Sequence, residues 1–433
     1  MERKLTRSEF ISLSIMLFGL FFGAGNLIFP PMLGFNSGNK TIVSFIFFTL
    51  TAIIFPVLGV ITVSKTNGLQ NLAKRVHPAF ALVFTIVIYL SIGPGLGIPR
   101  AGVVPFEMAI FQYLPKDFDA NISRLIYTLI FFSIAYYVSL SPNKLVKRSG
   151  KILTPILISL ILILFVGILF KNPNNVGLPK GVYAKSPAIV GFVEGYNTLD
   201  AIAALNFGLV ISLTLRKFNI KNEKEIVGYT IKSGFLAGFI LLLIYAILSY
   251  IGMMISGSSI EFENGAQILS YISESLYGQF GVALIILIFT LACLTTSIGL
   301  IVSISEYFAT LTNKINEKTW ALIVTLFAFI VSNFGLNAIL SITVPVLQIV
   351  YPFSLVIIIM GLLHDKIGFT KATYVVAAIV SFAIAIFTML INLGLEIPFF
   401  TGFISTLPFY NVGLNWVIPT IISIFFTQLI SKK

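Results

Sequence analysis

Apolar residues fall in repeated blocks of about 20 separated by short polar segments, and an α-helix needs about that length to cross roughly 30 Å of hydrocarbon. The pattern predicts twelve helical spans, over residues 8–33, 40–64, 78–113, 122–141, 150–170, 188–213, 227–254, 279–310, 318–333, 337–362, 372–394 and 412–430. The third and eighth exceed about 30 residues, so each is expected to tilt, bend or extend beyond the hydrocarbon. An all-α polytopic membrane protein follows, with no soluble domain. Composition agrees: 57% of residues are hydrophobic and 10% charged, whereas an ordinary soluble domain carries roughly 25% charged residues.

Charge adds orientation. The net charge of +12 is scattered through many loops rather than gathered on one domain, which argues against a nucleic-acid surface. With the N-terminus inside, most Lys and Arg fall in inward segments: Arg3, Lys4 and Arg7, then Lys65, Lys74 and Arg75, then Lys144, Lys147, Arg148 and Lys151, then Arg216 through Lys232, then Lys314, Lys318, Lys366 and Lys371, and finally Lys432 and Lys433. Lys40, Arg100, Lys116, Arg124, Lys171, Lys180 and Lys185 fall outside or within the membrane. This sidedness predicts cytoplasmic termini in a cell-membrane protein. The basic start resembles a signal-peptide n-region, but the apolar stretch after it is too long and lacks a small-residue cleavage site, so it reads as a retained span.

The first span is interrupted. "FFGAGNLIFPP", Phe21 to Pro31, puts two glycines, an asparagine and two prolines into an apolar run. Inside lipid an interrupted helix bares amide and carbonyl groups that cost several kcal/mol each when unpaired, so irregular backbone survives only buried in protein or lining a polar cavity. The sixth span carries a counterpart, "EGYNTLDAIAALNFG", with Gly195, Asn197 and Asp200 at a similar distance from its start. Two breaks at matching positions predict two copies of five spans. Five is odd, so the second copy is inverted in the membrane. The expected division is 1–175 for the first repeat, 176–366 for the second, and 367–433 for two additional helices. Such an architecture puts substrate and ion near the midplane between the broken helices, half-helix N-termini favouring a carboxylate and freed carbonyls a cation. The competing reading is a glycine kink used for close packing.

Other chemistry is sparse. "LACLTTSIG" in the eighth span offers the Thr295 and Thr296 hydroxyls and the Ala292 carbonyl one turn earlier, a candidate sodium site; alternatively the hydroxyls bond back to their own helix. Arg100 and Glu107 lie seven residues apart in "GPGLGIPRAGVVPFEMAIF", two helical turns on one face, where they pair, gate a pathway, or snorkel to an interface. Glu194 and Asp200 flank the second break and are candidates to orient backbone, bind a substrate amine or carry a proton; Glu306 reads as interfacial. One cysteine, Cys293, and two histidines, His77 and His364 in expected loops, make no metal cluster. An intramembrane enzyme on lipid-linked substrates would show paired acids or clustered histidines beside a cytoplasmic loop, and a passive channel a polar stripe along several helices. Neither pattern is present in the sequence.

Four ordered motifs, "FGAGNLIFPPMLG" (22–34), "GPGLGIPRAGVVPFE" (93–107), "GYNTLDAIA" (195–203) and "ACLTTSIGLI" (292–301), together resemble the bacterial branched-chain amino acid transport system II carrier family, which is similar in turn to the leucine-transporter-type inverted-repeat fold. The resemblance implies a symporter of leucine, isoleucine and valine with no bound cofactor and no obligate protein partner, driven by sodium, with protons as the alternative coupling ion. It implies substrate carboxylate binding at Gly23, Ala24, Gly25 and Asn26. The amine and part of the side-chain pocket would fall to Glu194, Gly195, Tyr196, Asn197 and Asp200. Sodium would lie between the carbonyls of Gly19 and Phe22 and the A-x-x-T-T set of Ala292, Thr295 and Thr296.

Overall fold

The computed structural model describes residues 3–115, 117–141, 146–171, 175–312, 314–395 and 398–431. Lys116, Lys144, Lys432 and Lys433, which enter the charge argument, lie outside the described residues.

The first apolar run forms two helices, α1 (Arg7–Phe21) and α2 (Ala24–Ser37). α1 starts at a capping box in which the Thr6 side chain accepts from the Glu9 amide and the Glu9 carboxylate accepts from the Thr6 amide at 2.9 Å. After α2 the chain turns at Gly38, whose φ of +50° suits a residue without Cβ. It continues through α3 (Thr41–Thr49), a wide π-helical turn, α4 (Phe55–Lys65) and the short α5 (Leu69–Ala73). The third run bends, giving α6 (Pro78–Leu90) and α7 (Gly97–Pro105). α8 (Ala120–Ser139) and α9 (Thr154–Lys171) follow.

A second series begins with the short α10 (Val182–Lys185), then α11 (Pro187–Asn197) and α12 (Asp200–Lys217), which meet at 43°. α13 (Glu223–Met254), α14 (Gly265–Tyr277) and α15 (Gln279–Leu311) come next. α15 is the long eighth span; its 33 residues make an unbroken rod of about 50 Å that must tilt or protrude. α16 (Glu317–Ser332) turns through 110° into the start of α17 (Leu336–Ile367), and α18 (Lys371–Asn392), α19 (Pro398–Ser405) and α20 (Val417–Ser431) complete the chain.

Every expected span falls on helix, yet among the described residues eight helices are long and apolar enough to cross a membrane, or ten if each bent pair counts as one. The count differs from twelve because α1 and α20 have only 15 residues each, and α2 runs on with the next helices as one stretch, Ala24–Lys65.

Close helix packing rests on small residues. A Cβ on Gly34 of α2 would meet the Ser249 carbonyl of α13, and one on Gly252 of α13 would meet the Pro31 carbonyl of α2. Gly191 and Gly195 of α11 press on the Ser44 and Phe48 carbonyls of α3 in the same way. Without water to drive apolar association inside lipid, such backbone approach supplies the contact energy. The buried centre holds Leu13 and Leu17 of α1, Phe207 and Ile211 of α12, and Ala292 and Ile298 of α15. Ile42, Phe170, Phe235 and Ile430 are more than 60% exposed, an outer apolar surface far too extensive for a water-facing monomer. The protein is a multi-pass membrane protein.

Candidate functional site

The break between α1 and α2 follows from one displaced hydrogen bond. In an intact helix the Gly23 N–H would donate to the Gly19 carbonyl; here it donates to Asn26 Oδ1 at 3.2 Å, and Gly23 is extended at φ −112° and ψ −160°. The Gly19 carbonyl instead accepts a long bond from the Thr296 hydroxyl of α15, at 3.5 Å. Asn26 thus caps its own helix with its oxygen and has its amide nitrogen free to reach across the bundle.

That nitrogen donates to Asp200 Oδ2 at 2.6 Å and also to the Tyr245 hydroxyl, which itself donates to Asp200 Oδ2 at 3.3 Å. Asp200 opens α12, so a three-residue knot from α2, α12 and α13 ties the two breaks together. All three side chains are at most 5% exposed, and within hydrocarbon each satisfied polar group removes a desolvation penalty.

The second break turns on Leu199, whose φ of +63° is a left-handed conformation that costs a side-chain-bearing residue roughly 1–2 kcal/mol. The chain tightens before it, with Leu199 N–H donating to the Tyr196 carbonyl at 3.2 Å and the Thr198 hydroxyl to the Gly195 carbonyl at 2.8 Å.

A third break lies between α6 and α7, in the long third span where a bend was one of the expected outcomes. Gly93 (ψ −117°) and Leu96 (φ −132°, ψ −58°) leave helical geometry, and the helix resumes so that the Arg100 N–H donates to the Leu96 carbonyl at 2.8 Å. The run Gly93-Pro94-Gly95-Leu96-Gly97 marks where the bend falls.

The three breaks converge. A cavity of about 80 Å³ is lined by Gly23, Ala24, Gly25 and Asn26 from the first, by Thr198, Leu199 and Asp200 from the second, and by Leu96, Gly97 and Arg100 from the third, with Thr296 on its wall. A second cavity of about 620 Å³ shares Arg100 and Leu199 with it and is lined by Ile28, Phe29, Val104, Tyr196, Asn197 and Tyr351 among others. A small chamber and a large vestibule therefore adjoin, the vestibule mixing apolar walls with polar side chains such as Asn197, Asn264 and Gln348.

Of the residues singled out from the sequence, Gly23, Ala24, Gly25, Asn26, Asp200, Arg100 and Thr296 line the small cavity, and Tyr196 and Asn197 the large one. Glu194 and Gly195 lie outside both: the Glu194 carboxylate accepts from Tyr183 at 3.3 Å, and Gly195 is pressed against α3. Arg100 and Glu107 do not pair. Two helical turns separate them by about 10 Å along the axis, and Glu107 sits instead at the start of α17, accepting from the Leu336 N–H at 3.1 Å and lying 3.8 Å from Arg124. A carboxylate there is favoured by the helix dipole.

Gly19 and Phe22 form the end of α1 opposite α15, where Phe22 stacks on Phe18 with centroids 5.2 Å apart. Thr296 faces Gly19 and Gly23, whereas the Thr295 hydroxyl donates to the Leu291 and Ala292 carbonyls of its own helix, at 3.1 and 2.9 Å. Glu306 is held by Lys217. His77 caps α6, and His364 is not in a loop but in the last turn of α17, beside Tyr374. Tyr245 and Tyr351 were missed, since a tyrosine inside an apolar span carries no signal of its own.

Comparison with known sequences decides the family: the model of the branched-chain amino acid transport proteins matches residues 6–433. The chain belongs to that family. Its relatives include the branched-chain amino acid permeases BraB and BrnQ of Bacillus subtilis, each 37% identical. Those alignments cover 98% and 97% of this chain, and 95% and 96% of theirs. BrnQ of Lactobacillus delbrueckii is 36% identical over the full length of both chains. Family members are transporters, not enzymes. Among solved structures the chain is similar to Mhp1, a nucleobase-cation-symport-1 family transporter with bromovinylhydantoin bound, at TM-score 0.62 and 11% identity, covering 98% of this chain and 92% of that one. It is also similar to MhsT in complex with L-phenylalanine, at TM-score 0.57, 16% identity and 99% coverage of both. These likenesses establish the leucine-transporter-type fold expected from the sequence.

Proposed function

We propose that the protein imports leucine, isoleucine or valine together with sodium, by alternating access around the small cavity between the broken helices. The observation that carries this reading is the Asn26–Asp200–Tyr245 knot, which holds two unwound segments against one small chamber, lined by Arg100 and Asp200, beside a larger vestibule. The chamber suits an amino acid's charged head, and the vestibule's Ile28, Phe29 and Val104 suit an aliphatic side chain. Substrate contacts are assigned to Gly23, Ala24, Gly25, Asn26 and Asp200, with Tyr196 and Asn197 toward the side chain. The same reading divides the chain into inverted repeats at 1–175 and 176–366, with 367–433 appended, and puts both termini in the cytoplasm.

For sodium, the Gly19 carbonyl released from its helix and the Thr296 hydroxyl facing it form the core of a neutral-oxygen site, to which Phe22, Ala292 and Thr295 are neighbours. A cation gripped from both α1 and α15 favours the arrangement that brings them together, and this difference in affinity between states is what couples its gradient to transport. A proton-coupled reading is favoured by one feature: Asp200 is buried and, among the described residues, in no ion pair. Uptake of radiolabelled leucine into proteoliposomes, with sodium and proton gradients imposed separately, decides between them. Acceleration by sodium alone supports the first reading; acceleration by protons alone, lost in Asp200→Asn, supports the second; acceleration by neither overturns symport.

A further inference from the structure

Arg100 is the one charged group that borders both cavities, and among the described residues its guanidinium makes no hydrogen bond or ion pair with protein. Glu107, the acid on its own stretch of chain, is engaged with Arg124 and Leu336. Asp200 lines the same small chamber yet stays beyond ion-pairing distance, with Oδ2 already taken by Asn26 and Tyr245. A positive and a negative group thus face one small chamber without neutralising each other. Charges inside a membrane are costly and are normally paired, so an arrangement that holds them apart fits a ligand bearing both complements.

Resting on the transport reading above, we propose that Arg100 receives the substrate carboxylate while Asp200 faces its ammonium, making α7 a third arm of the binding site. The guanidinium presents planar paired donors that match a carboxylate in two parallel bonds. The chain makes room for it: a Cβ on Gly25 would come within 3.1 Å of Arg100 Nη2, so glycine at this position lets the guanidinium lie over the start of α2. There the side chain reinforces the helix N-terminus, and both donor sets converge on one anion. The break at Gly93 to Leu96 serves the same end by resetting the helix so that residue 100 reaches the chamber.

Equilibrium binding of leucine and of leucinamide, which keeps the ammonium but lacks the carboxylate, tests this on the purified full-length protein. Wild type is expected to prefer leucine by about 10- to 100-fold, the range for losing hydrogen bonds between charged groups. Arg100→Gln should lower leucine affinity by a similar factor and cut the preference to the share the α2 N-terminus supplies, and Arg100→Lys should restore part of it. Gly25→Ala, which leaves the arginine in place but crowds it, should weaken leucine more than leucinamide. Wild type that binds both compounds equally, or Arg100→Gln that prefers leucine as strongly as wild type, overturns the assignment. Wild type that binds leucinamide and leucine equally leaves the transport reading standing, whereas wild type that binds neither defeats the transport reading itself.

Discussion

Tyr245→Phe removes a single oxygen from the knot that joins the two breaks. The hydroxyl donates to Asp200 Oδ2 at 3.3 Å and accepts from Asn26. A hydrogen bond to a charged group contributes about 1.5–3 kcal/mol net. The lower end applies here, because the 3.3 Å bond is long and Asp200 keeps its 2.6 Å bond from Asn26. The phenylalanine ring preserves the edge contact with Phe48, at 5.6 Å between centroids, and the tilted contact with Phe22 at 6.2 Å, so packing is unchanged. Loss of about 1.5 kcal/mol in holding Asp200 toward the chamber corresponds to leucine binding about tenfold weaker. Titration calorimetry on purified wild type and variant measures it, with thermal melting of the unliganded proteins alongside. Affinity within about twofold of wild type, a difference of about 0.4 kcal/mol, would refute the reasoning, as would a large fall in melting temperature with binding intact.

Further outcomes follow from the same geometry. Thr296→Ala removes the hydroxyl that faces the Gly19 carbonyl and should raise the sodium concentration for half-maximal leucine uptake by about tenfold, as for one lost charge-assisted contact. Thr295→Ala, whose hydroxyl bonds within its own helix, should raise it less; equal sodium dependence in Thr296→Ala and wild type would reject the ion assignment. Gly252→Val drives a side chain into the Pro31 carbonyl; overpacking costs about 1–3 kcal/mol even where neighbours yield, and backbone yields little, so folded yield on size-exclusion chromatography should collapse, while Gly402→Ala, with open space around it, should not.

How much of this was legible in the sequence differs from break to break. The first two announced themselves because Gly, Asn and Asp stand out inside apolar runs, and their matched positions suggested the inverted architecture before any coordinates. Leu199 did not, because nothing in its residue type signals a positive φ; it lies between Gly191 and Gly195, packed on α3, and the knot at Asp200. Gly195 accordingly stood out in the sequence for its packing, not for the chamber. The Arg100 and Glu107 spacing invited a pairing along one helix, but partners in a bundle come from neighbouring helices, here Arg124 and the start of α17. Helix length and composition alone give fewer spans than the hydropathy pattern, because α1 is cut short by its break and the chain past it runs on through Lys65.

The central claim is that the broken segments of α1–α2 and α11–α12 grip one amino acid between them. A structure determined with leucine bound tests it most directly. The account predicts the ligand's charged head in the chamber bounded by Gly23, Asn26 and Asp200, with its isobutyl group toward Ile28 and Phe29. Leucine lying wholly within the large vestibule, touching neither break, would contradict it.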